Sequence, residues 1–107
     1  MATNKKYKIY FTKECKKEMD NIYQYISRKL YSPSSAKTLM KKIQDSIYNL
    51  REMPNMYSVI KQYDELKLQF RKIVIKNYII IYTVNEENKI VNIVHMYYGK
   101  SNYIYNL

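Results

Sequence analysis

The sequence contains few of the residues from which several common kinds of site are built. Its 107 residues include one glycine, one cysteine, one histidine and no tryptophan. A single glycine excludes a glycine-rich phosphate-binding loop, and a single cysteine excludes an internal disulfide. One histidine and one cysteine at distant positions give no zinc or iron ligand spacing. We therefore expect no metal and no cofactor, and we expect Cys15 to be a small buried residue.

Long apolar runs are also missing. No stretch approaches the roughly 20 apolar residues of a membrane-spanning helix. The lysines near the N-terminus are not followed by the apolar segment of a secretory signal, so we do not expect secretion. A lone cysteine favours a reducing compartment. Together these features predict one domain over residues 1–107, with no membrane contact and a cytoplasmic location.

Positive charge and tyrosine are in excess. The formal net charge is +10, from 19 Lys and Arg against nine Asp and Glu, and there are 14 tyrosines. Such a balance is typical of proteins that bind nucleic acid or an acidic protein. A coding bias toward Lys, Asn, Ile and Tyr would also produce part of it. Charge alone does not choose between RNA, DNA and an acidic protein.

The first half of the chain predicts one strand and two helices. Residues 7–12 alternate as a strand does, and residues 14–31 and 34–52 carry apolar side chains at helical spacing. Thr12 is placed to cap the first helix. Pro33, after Ser32 as a candidate cap, is suited to the first position of the second helix. The connection is short, so we expect an antiparallel helix hairpin.

The second half predicts strands. Residues 68–76, 78–84 and 89–98 are rich in β-branched and aromatic residues, and a short extended piece is expected around 58–61. We expect an α+β fold in the order β-α-α-β-β-β. Its last three strands would form an antiparallel meander, and its first strand would lie at an edge or beside the last strand. Gly99 is expected at a bulge or bend.

Five segments in this order resemble the RelE/ParE superfamily of toxins, particularly the ParE-like, plasmid-stabilisation branch. They are similar to the family patterns dl..i..yi, P..A, i..L...P, R.l.v..Y.i.Y and i..v.ygrRd. The segments are 19–26, 32–36, 47–54, 70–82 and 93–100. The resemblance covers the chain from about Tyr7 to Leu107. It implies the growth-arresting toxin of a type II toxin–antitoxin system, bound and neutralised by an acidic cognate antitoxin in a hetero-oligomer.

The superfamily implies two alternative activities. RelE-like members cleave mRNA on the ribosome, and ParE-like members poison DNA gyrase. Cleavage without a metal requires a base, a cation that stabilises the phosphorane and an acid for the leaving oxygen. The candidate catalytic residues are Arg71, His95 and Tyr98. The candidate nucleic-acid-binding residues are Lys67, Lys72, Lys76 and Lys100.

Each catalytic candidate also has a structural interpretation. Arg71 occupies the position of the family's recurring arginine and would share a strand face with Gln69 and Ile73. It could instead pair with an acidic neighbour or with the antitoxin. His95 lies in an apolar strand, where it would share a face with Val91, Ile93 and Tyr97. A histidine there is more often a hydrogen-bonded structural residue. Tyr97 and Tyr98 point to opposite faces, so only one of them can line a site with His95.

The sequence departs from the family pattern near its end. Ser101 and Asn102 stand where the family usually has Arg-Asp. Lysine also lacks the bidentate fork of arginine and suits phosphate binding better than transition-state clamping. Three hypotheses therefore stay open: a ribosome-dependent mRNA endoribonuclease, a non-enzymatic gyrase inhibitor, and a degenerate toxin fold that only binds its antitoxin or nucleic acid.

Overall fold

The computed structural model describes residues 6–29 and 32–99. Two helices and five strands form an α+β fold, which confirms the predicted class. The elements are β1 (Lys8–Phe11), α1 (Lys13–Gln24) with a π-helical turn (Tyr25–Lys29), α2 (Pro33–Asn49), β2 (Val59–Tyr63) with a 3-10 turn (Asp64–Leu66), β3 (Leu68–Ile75), β4 (Tyr78–Asn85) and β5 (Ile90–Tyr98). The extended piece expected around residues 58–61 is a full strand, β2.

The five strands form one sheet in the order β1-β5-β4-β3-β2. β1 runs parallel to β5, so the first strand lies beside the last. The remaining neighbours are antiparallel, as the predicted meander requires. A register shift pairs Ile81 with His95 but Tyr82 with Ile93, which leaves Val94 as an extra residue. The bulge in β5 therefore lies at Val94 and not at Gly99.

The main core lies between the helices and one face of the sheet, termed here the helix face. Ile80, Tyr82 and Val84 of β4 point into it. The buried helical residues are Cys15, Ile26, Ala36, Leu39, Ile43, Ile47 and Leu50. The α2 stripe is thus buried as predicted, apart from the half-buried Met40, whereas Met19, Ile22 and Tyr23 of α1 are half-buried. Leu30, the last apolar position of the helical pattern in residues 14–31, falls outside the described residues.

The opposite face of the sheet is termed the distal face. Ile79 and Ile81 of β4 point to it, because successive side chains of a strand alternate between faces. Both are buried, at 6% and 0% exposure, yet neither belongs to the main core. Their cross-strand neighbours on β3 and β5 flank them on this side.

Thr12 joins the start of α1 to the last strand. Its hydroxyl oxygen accepts from the Cys15 backbone N–H at 3.1 Å, which confirms the predicted cap. The same hydroxyl donates to the Val94 carbonyl at 3.0 Å. Ser32 precedes Pro33 as predicted but makes no side-chain cap bond, and its hydroxyl donates to Ser35 Oγ at 2.6 Å.

Tight turns place lysines in the left-handed region of backbone space. Lys67, Lys76 and Lys89 have φ angles of 51°, 53° and 56°. Gly99 packs against the turn between β3 and β4, where its N–H donates to the Asn77 carbonyl oxygen. A Cβ on Gly99 would lie 2.8 Å from that oxygen. Glycine is required there by close backbone approach.

We expect Gly99→Ala to destabilise the protein by about 1–3 kcal/mol, because the added methyl group overpacks against backbone that cannot easily move. Urea denaturation measures the change. Thr38→Ala on the exposed side of α2 serves as a control. An unchanged midpoint for Gly99→Ala would contradict the close approach.

Candidate functional site

Arg71 lies on the helix face of β3 and fastens the connection between α2 and β2. Its Nη1 donates to the carbonyl oxygens of Asn55 and Tyr57, at 3.2 and 2.5 Å. Its Nη2 donates to Gln69 Oε1 at 3.0 Å, so the two side chains share a face as predicted. Burial raises the pKa of neighbouring Tyr82 to about 12, and its hydroxyl donates to the Pro54 carbonyl at 2.8 Å. Arg71 and Tyr82 together hold residues 54–57 against the sheet.

A chain of hydrogen bonds continues from Arg71 along β3 and β2. Gln69 Nε2 donates to Gln62 Oε1 at 3.1 Å, and Gln62 Nε2 donates to Asp64 Oδ1. The donors run in one direction, from the guanidinium to the Asp64 carboxylate. Among the side-chain nitrogen and oxygen atoms of the described residues, Arg71 Nε is the only one that is buried without a hydrogen-bond partner. The guanidinium would therefore have to leave these bonds before it could clamp a phosphate.

His95 lies on the distal face, beside the outer edge of β5. β1 ends at Phe11, opposite Ile93, so among residues 6–29 and 32–99 the backbone of β5 beyond that point has no strand partner on this side. Glu18 of α1 supplies a hydrogen-bond acceptor to this part of β5, since its Oε1 accepts from the Met96 backbone N–H at 3.0 Å. The Glu18 oxygens also lie 3.3 and 3.4 Å from His95 Nδ1. A helix carboxylate thus completes the strand edge and orients the imidazole ring.

The His95 ring stacks on Tyr97. Their centroids are 5.0 Å apart and the ring planes differ by 21°. Burial, and then the Glu18 charge, raise the pKa of the Tyr97 hydroxyl. The same two causes raise the pKa of the Cys15 thiol to about 12. Cys15 is fully buried, as predicted, and its thiol is protonated at neutral pH.

Tyr98 lies on the helix face, at the far end of β5. It pairs with Tyr78 of β4, and the two rings meet edge to face with centroids 5.6 Å apart. Burial, and then Tyr98 and Tyr25, raise the pKa of Tyr78. Along β4, Tyr78 is four residues from Tyr82, the partner of Arg71, or about 13 Å. The three predicted catalytic residues therefore lie in three separate places.

The predicted nucleic-acid-binding lysines are also dispersed. Lys67 follows the 3-10 turn at one end of β3, and Lys76 lies in the turn at its other end. Lys72 points to the distal face, opposite Ile81, which in turn lies opposite His95. Lys100 falls outside the described residues, as do Ser101 and Asn102. Within the described ranges, Lys72 is the only one of these lysines that shares a strand face with His95.

Comparison with known proteins decides the family. Residues 9–103 match the family model described as the ParE toxin of the type II toxin–antitoxin system parDE.

The chain belongs to the ParE toxin family.

Two solved structures support the fold of this ParE-family toxin. One is titled as the chromosomal ParDE toxin–antitoxin system of P. aeruginosa. It has a TM-score of 0.68 and 15% identity, and the match covers 86% of this chain and 95% of that one. The other is the archaeal RelE–RelB complex of Pyrococcus horikoshii OT3. It has a TM-score of 0.59 and 18% identity, and the match covers 89% of this chain and 97% of that one. None of the curated proteins gives a significant match.

Over residues 6–29 and 32–99, no three His, Cys, Asp or Glu side chains are grouped closely enough to hold a metal ion. In the same part of the chain, no helix is long and apolar enough to cross a membrane.

Glu18 is the residue that sequence reasoning missed. It contacts His95 and Met96 across 77 and 78 positions of the chain, a separation that no local pattern encodes. The available signal was weak. Glu18 is a carboxylate one turn from Ile22, on the apolar side of a helix whose other charges are mostly lysine.

We expect Arg71→Ala to lower the free energy of unfolding of the ParE-family toxin by about 1.5–3 kcal/mol, since it removes charge-assisted bonds to two backbone carbonyls. Arg71→Lys keeps the positive charge but not the two-pronged guanidinium, so it should lose less of the free energy of unfolding. Urea denaturation of both variants tests this. Equal midpoints for wild type and Arg71→Ala would show that Arg71 does not fasten residues 54–57.

We expect Glu18→Ala to destabilise the fold by about 1–3 kcal/mol, because it leaves the Met96 N–H of the β5 edge unsatisfied. Glu18→Gln is the matched control, since its amide oxygen can still accept from Met96. Hydrogen exchange at the Met96 amide should accelerate in the alanine variant alone. Equal losses of stability in both variants would assign the effect to the carboxylate charge and not to the edge bond.

Proposed function

We propose that this ParE-family toxin arrests growth by binding and inhibiting DNA gyrase, without cleaving RNA. The observation that carries the proposal is the position of Arg71. Its guanidinium is bonded to Asn55, Tyr57 and Gln69, and it lies on the opposite face of the sheet from His95. The arginine expected to clamp a phosphorane instead holds a loop.

The requirements of RNA cleavage support the same choice. A base, a cation and an acid must all reach one scissile phosphate within hydrogen-bonding distance. For a phosphate bound beside His95, the predicted cation on the same face of the sheet would be Lys72. Ile81 lies between these two residues, which are two strand spacings apart. That distance is about 10 Å between Cα atoms. Tyr98 points to the other face, so the candidates do not converge on one phosphate.

An acidic antitoxin is the proposed neutralising partner, with which the toxin forms a hetero-oligomer in the cytoplasm. The net charge of +10 would speed encounter with an acidic chain, while affinity would come from buried apolar anchors. Such anchors are available near the end of α2 and at the start of β2. The large exposed apolar side chains there are Tyr48, Met53, Met56 and Val59. Of the two solved structures named above, one is titled a ParDE toxin–antitoxin system and the other a RelE–RelB complex.

Two assays with the purified protein test the proposal. In the first, toxin is incubated with gyrase and supercoiled DNA, and trapped cleavage complexes are expected as linearised plasmid. In the second, toxin is added to programmed ribosomes, and intact mRNA is expected. Heat-denatured toxin is the control in both. Codon-positioned mRNA cuts without gyrase trapping would overturn the proposal in favour of an endoribonuclease.

A further inference from the structure

The distal face of the sheet carries two pairs of stacked or touching rings. On β2 and β3, Tyr63 and Phe70 meet edge to face with centroids 6.0 Å apart. On β5, His95 and Tyr97 stack nearly parallel, with centroids 5.0 Å apart. Their nearest members, Phe70 and His95, are separated by two strand spacings across the sheet and two residues along it, a distance of about 12 Å between Cα atoms. The face therefore offers two aromatic platforms.

Cations accompany both platforms. Lys61 Nζ lies 5.1 Å from the centroid of the Tyr63 ring. Lys72 occupies the cross-strand row that contains Ile81 and His95. None of the described strand residues that point to this face is acidic. Glu18, at the edge of β5, lies against the His95 ring and accepts from the Met96 N–H.

This combination matches one class of ligand. Single-stranded nucleic acid exposes the faces of its bases, which stack on aromatic side chains, and its phosphates bind lysine. A duplex keeps its bases stacked inside and offers mainly phosphates to a sheet. An acidic protein would satisfy the lysines but gives no reason for two ring platforms. Glu18 contributes by holding the His95 ring in the orientation that stacks on Tyr97.

We propose that the distal face binds single-stranded nucleic acid, with bases stacked on the His95–Tyr97 and Tyr63–Phe70 pairs and phosphates held by Lys61 and Lys72. The site is separate from the loop that Arg71 holds, and the proposal goes beyond gyrase inhibition. It assigns binding and no cleavage.

Fluorescence anisotropy tests the charge requirement. The probes are end-labelled RNA and DNA 12-mers of mixed sequence and a duplex of the same sequence. We expect the full chain to bind the single strands more tightly than the duplex. The double variant Lys61→Glu, Lys72→Glu should weaken single-strand binding at least about tenfold and reduce the slope of log K against log salt by about 1.4. The control double variant Lys37→Glu, Lys42→Glu on α2 makes the same change in net charge. It should weaken single-strand binding by less than about threefold.

The single histidine gives an independent test of stacking that needs no variant. In NMR spectra the His95 ring Hε1 resonance has no other histidine to overlap with. A base stacked on the ring should shift this resonance upfield when the single strand is added, and the duplex should leave it in place. Equal weakening by the two double variants, duplex binding as tight as single-strand binding, or an unmoved His95 resonance would each overturn the proposal.

The test of gyrase inhibition is independent of the test of the distal-face site. Loss of single-strand binding in Lys61→Glu, Lys72→Glu supports the distal-face site whether or not that variant still traps gyrase. An absence of trapping by the wild-type toxin overturns gyrase inhibition and leaves the binding measurements unaffected.

Discussion

The backbone edge of β5 is the constraint on which much of the rest depends. Its first half is paired with β1, and its second half is completed by α1 through Thr12 and Glu18. A strand edge left open would be a template for pairing with another chain. Closing it with a helix fixes where α1 begins and how it crosses β5. The same bonds place the His95 ring on the distal face, so one edge determines both the packing of α1 and the orientation of the histidine.

A second set of tertiary hydrogen bonds lies on the helix face, and it gives Arg71 a structural role. Arg71 stands where the family has a recurring arginine, yet its donors serve backbone carbonyls and a glutamine chain that ends at Asp64. A guanidinium in such a network is well suited to holding a loop, because its planar fork reaches several acceptors at once. Membership of a toxin family therefore does not by itself assign the same task to the same side chain.

Local patterns predicted the helices and strands well, but they could not predict contacts between elements that are distant in sequence. The α2 stripe, the Thr12 cap and the β4 run each follow from residues close together in sequence, and the structure has all three. The bulge at Val94 does not, because it arises from pairing between β4 and β5. That one extra residue changes which side chains of β5 share a face. Alternation correctly put Tyr97 on the face of His95 but wrongly put Val91 and Ile93 there, because the bulge separates them from His95. It could not supply Glu18, whose contact spans two elements.

The left-handed lysines have a consequence for the stability of the folded chain. A residue with a Cβ costs about 1–2 kcal/mol in that region, and Lys67, Lys76 and Lys89 all adopt it in a chain with one glycine. Domains of this size retain only about 5–15 kcal/mol in total. A partner that binds the native form adds stability by mass action. The three strained turns thus take up a sizeable part of that margin, and a ligand bound to the native form would offset the loss.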